Sequence, residues 1–183
     1  LDVTESWRTI LEEGPVGSSG QQPWQQPLVQ DILQLGPWPP ESDVARSTVD
    51  SAWTAFMKFE GTRLGVQGID SVLAEPGILG ASSVNLQNAF GRFNRHFPEY
   101  PIPHIDLGYT GFNYSAYPTD EILLVGCEFF IGQNHPAVKG LPPHIYPRYM
   151  QERMVPEHLV ADALRGWLLV QFQQEYYPDR GRL

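Results

Sequence analysis

Between residues 41 and 59 the apolar positions Val44, Ala45, Val49, Ala52, Trp53, Phe56 and Met57 recur mostly at intervals of three and four, which gathers them on one face of a helix. Gly61 is placed to end it. Residues 84–96 repeat the pattern with Leu86, Ala89, Phe90 and Phe93, followed by Phe97, and the Phe97-Pro98 pair closes that helix because a residue before proline is pushed out of the helical region. In between, Val66, Ile69, Val72 and Leu73 suggest further helix until Pro76-Gly77 breaks it.

The period then changes. Ile105, Leu107, Tyr109, Phe112 and Tyr114 alternate imperfectly around Gly108 and Gly111, which predicts a strand and turn over residues 105–117, pairing as a hairpin with the next strand. Residues 122–131 form the strongest strand signal, a nearly continuous apolar run that calls for burial on both faces. Pro156 and Glu157 suit the first turn of a last helix, whose core stripe is Leu159, Val160, Ala163, Leu164, Trp167, Leu168 and Phe172. Residues 1–40 read differently: a short helical piece at 7–12, a Gly/Ser/Gln/Pro stretch at 14–27, an apolar patch at 28–35 and a Pro37-Trp38-Pro39-Pro40 turn. The expectation is a loop-rich segment, 1–40, that wraps the surface or links, ahead of a single domain over 41–183. Helices first, then a small sheet, then a core helix make the fold class α+β.

Composition narrows the functions open to such a fold. With 12 Lys and Arg against 21 Asp and Glu, the chain of 183 residues carries a net charge of −9 and offers no broad basic surface for nucleic acid or anionic lipid. Cys127 is the only cysteine, so an intramolecular disulfide and a cysteine-based zinc cluster are both excluded. No apolar run approaches the roughly 20 residues of a membrane-spanning helix. The chain starts at Leu1 without a signal peptide or lipidation cysteine, which is read as a processed, trimmed or incomplete N-terminus.

Catalytic signals are sparse. None of His96, His104, His135, His144 and His158 begins an HExxH motif, in which two histidines one helical turn apart hold zinc while the glutamate activates water. His158 and Asp162, four apart on the last helix with Glu157 beside them, form the weak metal alternative; an acidic cap beside an exposed ion pair is preferred, because metal sites need three or four converging ligands. His135 and His144, flanking a Pro/Gly-rich loop, are assigned structural or solvent roles. No GxSxG elbow accompanies a serine, no base lies next to Cys127 in sequence, and no phosphate-binding glycine loop occurs. Glu128 stands out because an unpaired carboxylate inside an apolar strand is costly. A pair with Arg148 or Arg153 is the favoured explanation, with a ligand-binding or vestigial catalytic carboxylate as the other. Aromatics cluster at Tyr109, Phe112 and Tyr114 and again at Tyr146 and Tyr149 around Arg148; core and turn roles are preferred to a peptide or glycan groove.

Several of these pieces recur in a known order. Leu86-x-x-Ala89-Phe90-x-x-Phe93-x-x-x-Phe97-Pro98, Ile102-Pro103, Gly111-Phe112-Asn113, Leu124-x-Gly126-x-Glu128-Phe129-Phe130-x-Gly132, His135-Pro136-x-x-Lys139-Gly140-Leu141-Pro142 and Val160-x-Asp162-x-x-x-x-Trp167 together resemble the GldB-type gliding-motility lipoproteins of Bacteroidota. The resemblance implies a periplasm-facing envelope lipoprotein held by an N-terminal acylated cysteine and associated with gliding and type IX secretion. This chain lacks the lipobox cysteine and the family's helical continuation beyond Leu183, so it reads as truncated at its C-terminus. The family is also distantly similar to zinc peptidases of the zincin (gluzincin-like) arrangement. In that alignment Asp162, Ala163 and Gly166 replace the first His, the Glu and the second His, which implies a degenerate scaffold without metal binding or water activation.

The resulting expectation is a non-enzymatic, cofactor-free scaffold whose partners are subunits of an envelope protein complex, not nucleic acid, and which meets a membrane only through a lipid anchor outside this chain. Its partner groove is assigned to Glu128, Tyr109, Phe112, Tyr114, His135, Tyr146 and Arg148. The competing readings are a metal-dependent hydrolase built from Glu128, His135, His158 and Asp162, and a peptide- or glycan-binding envelope protein.

Overall fold

The computed structural model describes residues 3–17 and 22–176. Part of the Gly/Ser/Gln/Pro stretch and the last seven residues of the chain lie outside them. A two-residue strand, β1 (Val3–Thr4), leads into helix α1 (Ser6–Gly17), kinked at Gly14, where φ is 71°. A π-helical turn (Pro27–Ile32) precedes α2 (Asp43–Lys58) and α3 (Glu60–Gly68), which runs on into a second π-helical turn (Ile69–Ala74), and then comes α4 (Ile78–His96). The strands β2 (His104–Gly108), β3 (Ala116–Pro118) and β4 (Ile122–Gly126) follow. A 3-10 turn (Cys127–Phe130), two one-turn helices, α5 (Pro136–Lys139) and α6 (Arg148–Gln151), a further 3-10 turn (Pro156–His158) and the long α7 (Leu159–Tyr176) complete the α+β fold.

Local chemistry sets most of these boundaries. Ser42 caps α2 by accepting a hydrogen bond from the Ala45 amide at 3.2 Å, and Asp43 and Lys58 complement the helix dipole at its two ends. The stop expected at Gly61 falls two residues earlier. Phe59 takes an extended backbone (φ −66°, ψ 131°), and Gly61 lies inside α3, where a Cβ would come within 2.8 Å of the Phe59 ring. The expected strand over 122–131 is likewise cut at Gly126. A side chain at that position would run into the Tyr114 carbonyl and the Thr110 hydroxyl, and the next four residues coil away as a 3-10 turn.

The four strands lie in the order β1-β2-β4-β3, with β1 and β4 parallel to β2 and β3 antiparallel to β4, so the hairpin predicted from the sequence is β3–β4. Every residue of β4 is buried. Leu123 and Val125 enter the main core with Ile105, Leu107, Leu86, Phe90 and Trp167, while Ile122 and Leu124 point into a second cluster with Trp24, Leu28, Ile32 and Trp53. Helices α4 and α7 close the main core through Trp167, whose ring meets Phe90 and Phe93 edge-on, each at 5.1 Å. The second cluster draws on Trp24, Leu28 and Ile32, which therefore pack on the face of the sheet opposite the main core.

One buried carboxylate ties that N-terminal stretch down. Asp106 on β2 accepts hydrogen bonds from the Thr4 hydroxyl at 2.6 Å, the Ser6 amide at 3.2 Å and the Ser6 hydroxyl, so it caps α1 from a residue far along the chain. Thr4 Oγ1 also lies 3.0 Å from His104 Nε2, and the Nε2–H tautomer lets the ring donate to Thr4 while Thr4 donates to Asp106. All of these contacts can be filled at once. Replacing Asp106 with Ala strands three donors, and is expected to lower the unfolding free energy by about 2–3 kcal/mol and to make residues 3–17 the first site cut in limited proteolysis, read by denaturant titration and mass spectrometry.

Candidate functional site

The loop that leaves β2 has two consecutive residues in the left-handed region. Gly111 and Phe112 both adopt positive φ, 69° and 59°, a conformation that a bulky residue holds only when its surroundings impose it. Glu128 supplies that constraint. The 3-10 turn after β4 aims its fully buried carboxyl group at the loop, where Oε1 accepts the Thr110 and Phe112 amides, each at 2.9 Å, and lies 2.6 Å from the Thr110 hydroxyl. The loop is held from two further sides: Tyr146 donates its hydroxyl hydrogen to the Phe112 carbonyl, and the Asn113 amide bonds the Thr110 carbonyl at 3.0 Å.

The clamped loop forms the floor of an apolar cavity of about 590 Å³. One wall is the α2–α3 junction with Phe56, Phe59 and Leu64; the other is the segment after His135, with Pro142, Ile145 and Tyr146. Small residues allow α3 to approach so closely. A Cβ on Gly65 would lie 2.9 Å from the Tyr109 ring, and one on Gly68 would lie 2.6 Å from Ile131 and 3.0 Å from the His135 ring. At the rim, Phe59 and Ile145 remain 68% and 55% exposed, large apolar side chains that lose water only when something covers them.

The residues singled out from the sequence fall in several places. Tyr109, Phe112 and Tyr146 line the cavity, and Glu128 stands behind its floor. Tyr114 is half exposed and packs edge-on against Tyr117 at 5.1 Å, outside the cavity lining. His135 accepts the Ala137 amide on Nδ1 and caps α5, and burial lowers its pKa. The pair expected between Glu128 and Arg148 or Arg153 does not form: Arg148 is an exposed partner of Glu152 at 2.9 Å, and Arg153 meets Asp162 at 3.4 Å. Because the strand ends at Gly126, Glu128 faces backbone amides instead of the two arginines. His158 donates to the Arg153 carbonyl at 3.0 Å, so His158 and Asp162 both engage the same arginine. Among the described residues no group of three or more His, Cys, Asp and Glu is placed to hold a metal ion.

Two features escaped the sequence reading. Asp106, a charge inside an apolar strand, carried the same warning as Glu128. Phe59, an aromatic residue just past a helical stripe, offered no signal of its exposure.

A comparison with protein families decides the relationship. The model of the gliding motility protein GldB matches residues 30–182. This chain belongs to the GldB family. Membership associates it with gliding motility and, since this is a lipoprotein family, with the cell envelope; no helix among the described residues is long and apolar enough to cross a membrane. No curated protein and no solved structure matches the chain. The matched range contains α2, α3, the clamped loop and both cavity walls, so the GldB-family region includes the whole candidate site.

Burial governs the electrostatics of this site. The Glu128 carboxyl is pushed up to about 7 by desolvation, against the pull of its hydrogen bonds from Thr110 and Phe112. Burial also raises the Tyr109 and Tyr146 hydroxyls and lifts the Cys127 thiol well above its usual range, leaving that thiol protonated and unreactive. With a folded-state value above its unfolded 4.5, Glu128 keeps its proton in the folded chain after the unfolded chain has released it. Its stabilising contribution is complete below the unfolded value and is lost as pH rises through the folded one. Urea denaturation from about pH 5 to about pH 8 should show stability falling with pH, and Glu128→Gln should remove about 2 kcal/mol of that dependence.

Proposed function

We propose that this GldB-family protein is a non-enzymatic scaffold of an envelope complex, facing the periplasm from a lipid anchor and accessory to gliding motility or type IX protein secretion. Its apolar cavity receives a hydrophobic segment of a partner protein. The observation that carries this reading is the pairing of a clamped floor with an uncovered apolar rim at Phe59 and Ile145. A pre-shaped apolar cleft of this size suits a few anchoring side chains of a partner, and a floor held by buried hydrogen bonds spares the complex the entropy of ordering it.

The chemistry of the surrounding groups supports binding over turnover. Glu128 bonds two amides and a hydroxyl of the loop that leaves β2, Asp162 is drawn to Arg153, and His135 caps a helix, so each is engaged in holding structure. In the last helix Gly166 lies where a Cβ would come 2.8 Å from Ala116, so this position serves the close approach of α7 to β3.

The test is recovery of partners from envelope membranes of a source cell, using the chain with its anchor and identifying what is bound. The intact protein should retain motility or secretion components, and a Phe59→Glu/Ile145→Glu variant should lose at least about ten-fold of that recovery, about 1.4 kcal/mol, while circular dichroism and the melting midpoint stay unchanged. Equal recovery by the variant would remove the groove from the interface. Stoichiometric zinc in protein purified without a histidine tag would count against the non-enzymatic reading.

A further inference from the structure

The clamp on the cavity floor is one proton short. Thr110 Oγ1 lies 2.6 Å from Glu128 Oε1 and 2.8 Å from the Tyr114 carbonyl oxygen, two hydrogen-bond distances that converge on one hydroxyl. A threonine hydroxyl carries a single proton, and a carbonyl supplies none. One proton can be shared between the two acceptors only as a weaker three-centre bond; both contacts become full two-centre hydrogen bonds when the carboxyl brings the second proton. It then donates to Thr110, and Thr110 donates to Tyr114, while the amides of Thr110 and Phe112 share the remaining acceptor capacity of the same carboxyl oxygen. The buried carboxylate of Asp106 has no such shortage, since each of its contacts comes with its own donor proton.

Two further observations agree with the count. Oε2 of Glu128 is buried and has no hydrogen-bond partner, a tolerable position for the carbonyl oxygen of an acid and a costly one for half of an anion. The ionisable groups that share its field are Tyr109 from the end of β2, Cys127 from its own turn and Tyr146 from the cavity wall, and none of them is a cation.

We infer that Glu128 and Thr110 form a proton-operated latch on the floor of the cavity, seated when the carboxyl is protonated and loosened when it ionises. Loss of the proton gives the Thr110 hydrogen to the anion and leaves the Tyr114 carbonyl without its donor. That carbonyl lies against Gly126, next to the Gly126–Ser115 hydrogen bond that begins the β3–β4 pairing, so the disturbance reaches the loop that presents Tyr109 and Phe112. An apolar ligand in the cavity should accordingly bind more tightly on the acid side. This consequence rests on the groove reading; the latch itself does not.

Carbon-13 NMR of the intact chain separates the two. The Glu128 Cδ signal, assigned through its own side chain, should titrate near neutrality, and the Tyr114 carbonyl carbon should follow with the same midpoint. In parallel, Nile red fluorescence should fall several-fold from about pH 6 to about pH 8.5 in the native protein and stay level in Glu128→Gln. A Glu128 signal fixed at its carboxylate position from about pH 5 upward, or a Tyr114 carbonyl that ignores the titration, would overturn the latch. Dye bound equally at both pH values, with the carbonyl titrating, would overturn the coupling to the cavity. Dye that fails to bind at any pH, with the two carbons titrating together, would sink the groove reading and leave the latch established.

Discussion

A strand with no solvent face imposes the rest of this architecture. Ile122, Leu123, Leu124 and Val125 are all buried, so β4 needs apolar cover on both sides. Helices α4 and α7 supply it on one side through Phe90 and Trp167; the N-terminal π-helical turn and α2 supply it on the other through Leu28 and Trp53. Sharing one strand between two clusters is what makes a single unit of them, and it explains why Trp24, Leu28 and Ile32 pack inward from a glutamine- and proline-rich stretch.

Burial this complete leaves the ends of the sheet as a polar problem, and the fold answers it twice in the same way. Asp106 at β2 gathers the amide and hydroxyls of the incoming N-terminus, and Glu128 beyond β4 gathers the amides and hydroxyl of the outgoing loop. Each carboxyl is desolvated, raised in pKa and supplied with donors from a segment that would otherwise have unsatisfied backbone groups. These groups organise turns. The cavity inherits its shape from one of them.

Much of this could be read from the residues in order. Helical spacing located α2, α4 and α7, the unbroken apolar run announced the two-sided burial of β4, and the order of segments around Glu128 pointed to the GldB family that the match over residues 30–182 establishes. What the pattern missed depends on contacts between distant segments. Gly126, where β4 ends, is crowded by a carbonyl and a hydroxyl twelve and sixteen residues earlier, and Glu128 is met by backbone amides, which no residue type reveals. Polar and proline-rich spacing likewise hid the burial of two aromatic side chains in the N-terminal stretch, Trp7 and Trp24.

The extended backbone at Phe59 has a mechanical meaning. Helix α2 packs through Trp53 into the N-terminal cluster, while α3 lies with Gly65 and Gly68 against Tyr109 and Ile131 of the main core, and one non-helical residue joins the two. The exposed ring of that same residue stands at the mouth of the cavity. Whatever rests on Phe59 therefore rests on the one-residue elbow between two separately anchored helices.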